Sequence, residues 1–350
     1  MGLMNRFLLT ALLFSVVFGG GFALPLASEA VEQEGSAQTI QVRDFRGKAL
    51  LLRKPAERIV CLIESALSGI YMLGAEAKIV GVSANVYQQE TFRYYAAMDE
   101  RIHNKSLPTP GNWDFINIER VIGLKPDLVI IWAHQEEAIR ALEERGIPVF
   151  GVFIRSFEDV YQEMLALGDL TGARERALQL VADTRESLAQ VRSRTAAITP
   201  GDRVRVYYMW AQGELESSGK PSTVDELLAL AGAVNVCGSI EQEHLVVNME
   251  KILKWDPQVI VMWYNARKDP ADILHNAMWQ SVTAVRQNRV YEFPDVFSCD
   301  LWTLKFQYAV KMVAKWCYPE LFRELDLEKE KLVLFRELYG ARPRLLELMP

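Results

Sequence analysis

The fold is decided by a stretch that occurs twice, 131 residues apart: NIERVIGLKPDLVIIW at residues 117–132 and NMEKILKWDPQVIVMW at residues 248–263. Asn, Glu, Pro and Trp are identical in the two copies, and most other positions keep their residue type. Asn is favoured at helix N-termini, Pro ends a helix, and an apolar run then leads to Trp. Chance similarity is the alternative, because helix–strand units are common. The shared spacing of four unlike residues favours a duplicated unit.

Short apolar runs alternate with helical segments on both sides of the repeat. Runs that are apolar throughout and separated by helices indicate parallel sheets covered on both faces. The predicted class is therefore α/β, with parallel sheets in an N-terminal lobe (39–156) and a C-terminal lobe (200–318) and a ligand cleft between them. Strands are predicted at 59–63, 78–82, 128–132, 148–152, 204–209, 259–262 and 290–293, and a hairpin at 40–52. Helices are predicted at 65–73, 135–145, 224–231, 272–285 and 305–316.

Residues 157–199 are predicted to form linker helices, broken near Thr171-Gly172. The second of them, at 173–198, has one apolar face. About 25 helical residues span ~38 Å, which suits a strut between lobes. Residues 319–350 carry apolar residues at helical spacing and predict an appended helical tail on the surface, without indicating what it does.

The first 27 residues have the layout of a secretory signal. Arg6 precedes an apolar run, Phe7–Phe18, and small residues follow up to Ala27. The alternative is a membrane anchor, but about 12 apolar residues are too few for a hydrocarbon core that needs ~20. We therefore expect a cleaved signal peptide, a flexible leader at 28–38 and a periplasmic protein. No cysteine stands at the exit that would indicate a lipid anchor.

The four cysteines, Cys61, Cys237, Cys299 and Cys317, form no C-x-x-C pair, so zinc-ribbon and thioredoxin sites are not indicated. Export permits a disulfide, and Cys299 with Cys317 is the first pair to test. Buried free thiols are the favoured alternative, because Cys61 and Cys237 lie in apolar surroundings.

Composition and motifs exclude several classes. The net charge is −6, and −7 once Arg6 leaves with the signal (38 basic against 45 acidic residues), so no basic surface for nucleic acid is indicated. No G-x-S-x-G, H-E-x-x-H or Walker loop occurs. We predict a binding protein without intrinsic cofactors, and an enzyme only as a minor alternative.

Aromatic residues are concentrated at strand ends and in the loops that follow them. Ligands of open α/β sheets bind outside the carboxyl ends of the strands, so Trp132 and Trp263 should line opposite edges of one cleft. Ordinary core packing is the alternative for any one of these rings. The predicted ligand contacts are Trp113, Trp132, Trp210, Trp263, His244 and Phe297, with Glu64 and Glu216 as further candidates.

Histidines suggest a second kind of site. His134 follows a strand end, and His244 stands six residues before Glu250, where Trp113 stands six before Glu119. Capture of a bare divalent metal by His134, His244 and carboxylates is therefore an alternative. His244 is preferred as a cleft residue that coordinates a bound complex or donates to it.

Glu119 and Glu250 occupy matching first turns of the repeated helix. Interaction with the helix dipole is a sufficient structural reason for each. One exposed carboxylate on each lobe could also dock onto two basic sockets of a symmetric partner.

The chain resembles the periplasmic substrate-binding proteins that serve ABC importers of iron–siderophores, haem and vitamin B12. The resemblance runs over about residues 38–318 and rests on VRDFRGK at 42–48, KPAERIV at 54–60, the 117–129 unit, SSGK at 217–220 and QNRVY at 287–291. It implies two Rossmann-like lobes joined by a single long helix. It also implies that Glu119 and Glu250 each engage arginines of one permease subunit, with the binding protein acting as a monomer.

The resemblance also bears on the ligand. Vitamin B12-binding members carry a Trp six residues before each docking glutamate, and Trp113 matches while His244 departs; Trp132 matches their strand-end Trp. In the first loop Glu64 adds a charge and Ser68 replaces a common glutamate. We therefore predict capture of an iron complex, a siderophore or haem-like chelate. A corrinoid, a bare divalent metal, and an enzyme or sensor on the same fold are the alternatives, in that order.

Overall fold

The computed structural model describes residues 39–88, 90–264 and 268–349. The predicted signal peptide (1–27) and leader (28–38) lie outside these ranges. Within them, no helix is both long and apolar enough to cross a bilayer.

The N-terminal lobe contains a hairpin and a four-stranded sheet. Its elements are β1 (Ile40–Arg43), β2 (Ala49–Leu52), β3 (Ile59–Cys61), α1 (Glu64–Met72), β4 (Ile79–Val82), α2 (Phe92–Met98), α3 (Glu100–His103), α4 (Ile118–Gly123), β5 (Leu128–Trp132), α5 (Glu136–Glu143) and β6 (Val149–Val152). The sheet order is β4-β3-β5-β6 and every neighbouring pair is parallel. The central strands β3 and β5 are buried except for Trp132, as continuous apolar runs predict.

Two helices connect the lobes: α6 (Phe157–Thr171) and α7 (Arg174–Thr195). A capping box between Ser156 and Asp159 begins α6. Gly172, with φ 77°, ends it, because glycine adopts left-handed backbone without a Cβ clash. The break predicted at Thr171-Gly172 is confirmed, and the 22 residues of α7 span ~33 Å.

The C-terminal lobe repeats the parallel sheet. Its elements are β7 (Arg205–Met209), β8 (Glu216–Ser217), α8 (Thr223–Leu230), β9 (Val234–Asn235), β10 (Leu245–Val246), α9 (Met249–Trp255), β11 (Val259–Met262), α10 (Pro270–His275), α11 (Thr283–Arg286), β12 (Val290–Glu292) and α12 (Phe306–Cys317). The order is β12-β11-β7-β9, again with parallel pairs. Two lobes with parallel sheets are therefore confirmed.

The single helix predicted over 272–285 is wrong. The structure divides it into α10, a short 3-10 turn at Ala277–Trp279 and α11. Asn276 adopts extended backbone and its side chain donates to Glu214 Oε2 at 3.1 Å. Trp279 Nε1 donates to the same oxygen at 2.9 Å. Glu214 lies about 60 residues earlier in the sequence, so the cause of the break is not local.

The tail forms α13 (Leu327–Tyr339) and α14 (Pro343–Leu346). It lies on the surface as predicted, but one side of it is buried against both lobes. Its buried residues are Phe322, Leu334, Phe335, Leu338, Tyr339, Leu345 and Met349.

The two repeat units share more than their sequence. Asn117 accepts the amide of Arg120 at 3.0 Å, and Asn248 accepts that of Lys251 at 2.9 Å, so both act as helix caps. Each unit then turns into its strand through a residue with positive φ, Lys125 (47°) or Asp256 (42°), immediately before the proline.

An arginine outside each unit completes the turn. Arg58, just before β3, donates to the carbonyl oxygens of Lys125 (3.0 Å) and Leu124 (2.7 Å). Arg205, the first residue of β7, donates to those of Trp255 (3.3 Å) and Asp256 (2.9 Å). We call these the arginine clamps. Each joins the end of its helix to the neighbouring strand.

All four cysteines are free and buried. Burial raises the pKa of each thiol, and the pKa of Cys317 reaches about 12. The structure therefore agrees with buried free thiols and does not pair Cys299 with Cys317.

Candidate functional site

Trp132 and Trp263 occupy the carboxyl edges of the two sheets. Trp132 is the last residue of β5 and Trp263 follows β11, and both are partly exposed. In open α/β sheets this edge is where ligands bind. The predicted cleft walls are therefore found at equivalent places in the two lobes.

Trp113 is held over the N-terminal edge by a tight loop. Gly111 bridges Ile116, and a Cβ at Gly111 would lie 2.5 Å from the Phe115 carbonyl oxygen, so only glycine fits. Asn112 Oδ1 accepts the amides of Asp114 and Phe115 at 2.9 and 2.8 Å. The loop leaves 40% of Trp113 exposed, which makes its ring available to a ligand.

Glu64 begins α1 immediately beneath this loop. Trp113 Nε1 donates to Glu64 Oε2, while Glu64 Oε1 is buried without a hydrogen-bond partner. Burial raises the pKa of Glu64 above its ordinary value, against the lowering effect of the Trp113 hydrogen bond. The charge of Asp300, from the other lobe, raises it further. Glu64 therefore lies where the two lobes meet.

An aromatic cluster forms the C-terminal wall. The ring of Trp210, just after β7, lies 5.5 Å from those of His244 and Trp263 and 6.3 Å from that of Trp302. Trp210 is nearly buried, and its Nε1 donates to Ser218 Oγ at 2.8 Å. His244 is exposed beside it. The wall is thus a fixed Trp210 with a histidine at its accessible side.

Trp113 and His244 are equivalent in three dimensions as well as in sequence. Each stands four residues before the capping Asn of its repeat unit. Each contacts the residue after the central strand of its sheet: Trp113 contacts Glu64 after β3, and His244 contacts Trp210 after β7. The two lobes therefore present different chemistry at matching positions.

The remaining N-terminal contacts lie near Trp132. Its ring is 6.0 Å from that of His134 and nearly parallel to it. Gln135 Nε2 donates to the Trp113 carbonyl oxygen at 2.9 Å, which connects the end of β5 to the loop. His134 and His244 belong to different walls.

One hydrogen bond joins the lobes beside the walls. Tyr264, adjacent to Trp263, donates from its hydroxyl to Glu90 Oε1 at 2.9 Å. Together with the effect of Asp300 on Glu64, this bond places both walls around the same space.

Glu216 and Phe297 lie apart from the exposed rings. Glu216 is half-buried on β8 opposite Val246, and its carbonyl oxygen accepts the Trp210 amide at 3.0 Å. Phe297 is only 2% exposed and stacks on Tyr94, with ring centroids 4.3 Å apart. Packing accounts for Phe297 in this structure, and its contact with a ligand stays a prediction.

Sequence reasoning missed several residues of the site. Trp302, Tyr264, Gln135 and Asp300 all lie at the walls, yet only Trp302 and Tyr264 carried a signal, as aromatic residues after strands. Gln135 follows a strand end by three residues, a position that could have marked it. Asp300 had no local signal.

Among the described residues, no group of three or more His, Cys, Asp or Glu side chains is arranged to hold a metal ion. The glutamates Glu119 and Glu250 are exposed in the first turns of α4 and α9. Each is therefore accessible to a partner on its own lobe.

Comparison with known proteins follows the same architecture. The periplasmic binding protein family model matches residues 59–296. An uncharacterized ABC transporter substrate-binding lipoprotein of Bacillus subtilis, YvrC, is 26% identical over 326 residues, covering 90% of this chain and 97% of that protein. A vitamin B12-binding protein of Vibrio cholerae is 25% identical over 243 residues, covering 68% and 80%.

The molybdate-binding protein MolA of Haemophilus influenzae is 24% identical over 310 residues, covering 81% of this chain and 86% of that protein. Its solved structure with bound molybdate superposes with a TM-score of 0.74 at 21% identity, covering 86% of this chain and 98% of MolA. That likeness shows the fold. Since the family model matches more than half of the residues, the chain belongs to the periplasmic binding protein family, the substrate-binding proteins of ABC transporters.

Proposed function

We propose that this protein captures an iron complex, a siderophore or a haem-like chelate, and delivers it to an ABC importer. The observation that carries the proposal is the pair of unlike walls, with Trp113 and Trp132 on one lobe and Trp210, Trp263 and His244 on the other. Aromatic faces bury large, rigid ligands at low cost in conformational entropy.

His244 and Glu64 give this cleft its polar character. An exposed imidazole beside Trp210 offers a nitrogen ligand or a hydrogen-bond donor to an iron complex. Glu64 Oε1 has no partner in the protein, and a buried acceptor of this kind favours a ligand that carries donor groups.

A corrinoid is the second candidate, because Trp113 and Trp132 stand where vitamin B12-binding relatives are expected to carry tryptophan. His244 argues against it. Bare divalent metal is less favoured, since the described residues hold no three-ligand cluster. A molybdate-like oxyanion, as in MolA, fits poorly beside Glu64. An enzyme or sensor on this fold has no supporting observation.

The ligand class is tested by titrating the purified protein with ferric hydroxamate and catecholate chelates, haemin, cyanocobalamin and molybdate. Tryptophan fluorescence should fall with a ferric chelate or haemin, because several of the eight tryptophans line the walls. Trp132→Ala should weaken binding at least tenfold. Trp255→Ala, at the far end of α9, is the matched control and should not.

Absence of any fluorescence or melting-temperature change with ferric chelates and haemin, alongside binding of cyanocobalamin or molybdate, would overturn the iron assignment. Native mass spectrometry of freshly purified protein gives an independent answer, since a copurified complex is weighed directly.

We further propose that the protein acts as an exported monomer whose Glu119 and Glu250 contact the two permease subunits. Equivalent helices and equivalent caps support this, as they present one carboxylate per lobe. The sequence layout supports a signal peptide cleaved after about residue 27, which intact-mass measurement of the mature protein tests.

A further inference from the structure

The chain crosses between the lobes a second time through its tail. After α12, in the C-terminal lobe, α13 packs against α12 and α1, and α14 packs against α2. Both α1 and α2 belong to the N-terminal lobe. The lobes are therefore joined by the tail as well as by α6 and α7.

Tyr339, the last residue of α13, contacts the helix that begins at Glu64. Its hydroxyl and Ser68 Oγ are 2.6 Å apart, and both residues are buried. Ser68 stands four residues after Glu64, so the two lie on one face of α1. The tail thus holds the element that carries the buried carboxylate of the cleft.

An aromatic hub surrounds this bond. Phe297, from the C-terminal lobe, meets the rings of Tyr94 and Tyr95 on α2 at 4.3 and 5.5 Å, and those of Phe335 and Tyr339 on α13 at 5.9 and 6.0 Å. Tyr95 donates to the Glu64 carbonyl oxygen at 3.2 Å. Phe297 therefore connects both lobes and the tail directly beneath the site.

Beyond the hub, Arg342 fastens the chain end to the N-terminal lobe. It pairs with Glu76 Oε1 at 2.6 Å, with both side chains 22% exposed, and donates to the Met98 carbonyl oxygen at 3.0 Å. At the other end of the tail, Lys311 on α12 pairs with Glu330 at 2.7 Å. Each lobe thus has its own polar attachment.

We infer that the tail is part of the ligand-binding machinery: it straps the lobes together and positions α1, with Glu64, against the C-terminal wall through Tyr339. Tyr339 is a positioning residue, because its contact with a ligand passes through Ser68 and α1. This rests on the proposed capture of a ligand between the lobes. A strap of this kind restricts opening, so part of the entropy of closure is lost before the ligand arrives.

Two variants separate positioning from plain stability. Tyr339→Phe removes the hydroxyl that meets Ser68 and keeps the ring in the hub. Tyr318→Phe is the matched control, since Tyr318 accepts the Val204 amide at 3.0 Å and donates to the Gly232 carbonyl oxygen at 2.7 Å, all within the C-terminal lobe. Both changes lose a tyrosine hydrogen bond, but only one touches the strap.

The first readout is the dissociation constant of the ferric chelate that binds the wild type. Tyr339→Phe should weaken it about fivefold, whereas Tyr318→Phe should leave it unchanged. In a cycle with Ser68→Ala, the two losses should not add, because both remove the same bond.

The second readout needs no ligand. Spin labels on Arg120→Cys and Lys251→Cys report the distance between the lobes; both positions are exposed and equivalent in the repeat, and the native thiols are buried. Tyr339→Phe and Arg342→Ala should broaden the distance distribution, and Tyr318→Phe should not.

Equal affinities and equal distance distributions for Tyr339→Phe and Tyr318→Phe would overturn the inference. If the wild type binds no ferric chelate, the proposed ligand class fails. The distance measurement alone then decides whether the tail restrains the lobes.

Discussion

Glu163 is a carboxylic acid enclosed by the N-terminal lobe. Burial raises its pKa from an ordinary 4.5 to about 8, and the Ser65 hydroxyl, which donates to Oε1 at 3.3 Å, only partly opposes this. The folded protein therefore keeps a proton that the unfolded chain releases. The free energy of unfolding should fall as pH rises from about 4.5 to 8, by about 1.4 kcal/mol per unit from this group.

Glu163→Gln removes that dependence while still accepting from Ser65. The variant should be more stable than the wild type at pH 8 and nearly equal to it at pH 5, as measured by urea denaturation at both values. Parallel pH dependence in the two proteins would show that Glu163 ionises normally in the fold.

Glu64 should make ligand affinity depend on pH. Its pKa is raised by burial, so the wall gains negative charge as pH rises above the ordinary range of a carboxyl group. A ferric chelate with net negative charge should bind more weakly at pH 8 than at pH 5. Glu64→Gln should bind it about fivefold more tightly at pH 8 and show a flatter profile.

The measurement is fluorescence titration across pH 5–8. Glu136→Gln, at an exposed first-turn position of α5, serves as the matched control and should follow the wild type. A Glu64→Gln profile that also follows the wild type would mean that the carboxylate does not face the chelate.

At the scale of elements, the helix caps of the repeat should contribute equally in both lobes. Asn117→Ala and Asn248→Ala each remove one side-chain acceptor from an exposed helix start. Each should lower the free energy of unfolding by about 1 kcal/mol, and the double variant by about the sum, because the sites are far apart. Urea denaturation measures all three.

Aspartate at either position supplies the same acceptor and should retain most of the stability. Losses that differ strongly between the two alanine variants would contradict the equivalence of the repeat units.

Local sequence signals predicted the elements whose causes are local. The strands β5 and β11 match their predicted ranges, and the capping Asn residues lie where the repeat placed them. The segment 272–285 was wrong because Glu214, far away in sequence, binds Asn276 and Trp279. Periodicity describes one helix and carries no information about such a partner.

The candidate site was predictable to a similar extent. Trp132 and Trp263 follow from strand ends, and Trp113 with His244 follows from the repeat. The contact of Trp113 with Glu64, the approach of Asp300 and the burial of Phe297 depend on how loops from both lobes meet. The arginine clamps escaped notice because Arg58 and Arg205 are 147 residues apart, not the 131 of the repeat.

For the whole molecule, docking and ligand capture should be separable. Glu119→Ala with Glu250→Ala removes one exposed carboxylate from each lobe, far from any wall ring. The double variant should bind the chelate as the wild type does, yet support no uptake in cells that depend on the importer. Uptake and fluorescence titration measure the two properties.

The control is Glu136→Ala with Glu241→Ala, which removes the same charge from other exposed positions of the two lobes. It should preserve both properties. Intact uptake by the Glu119 and Glu250 double variant would refute docking through these residues.

The arginine clamps have a consequence for how such a protein acquires new ligands. Each joins helix, turn and strand through backbone oxygens, so the frame does not depend on the identity of the nearby side chains. Trp113 and His244 stand in loops outside those bonds. Exchanging either residue alters what the cleft recognises and leaves the frame intact, so selectivity in this molecule is free to drift, one lobe at a time, without a new fold.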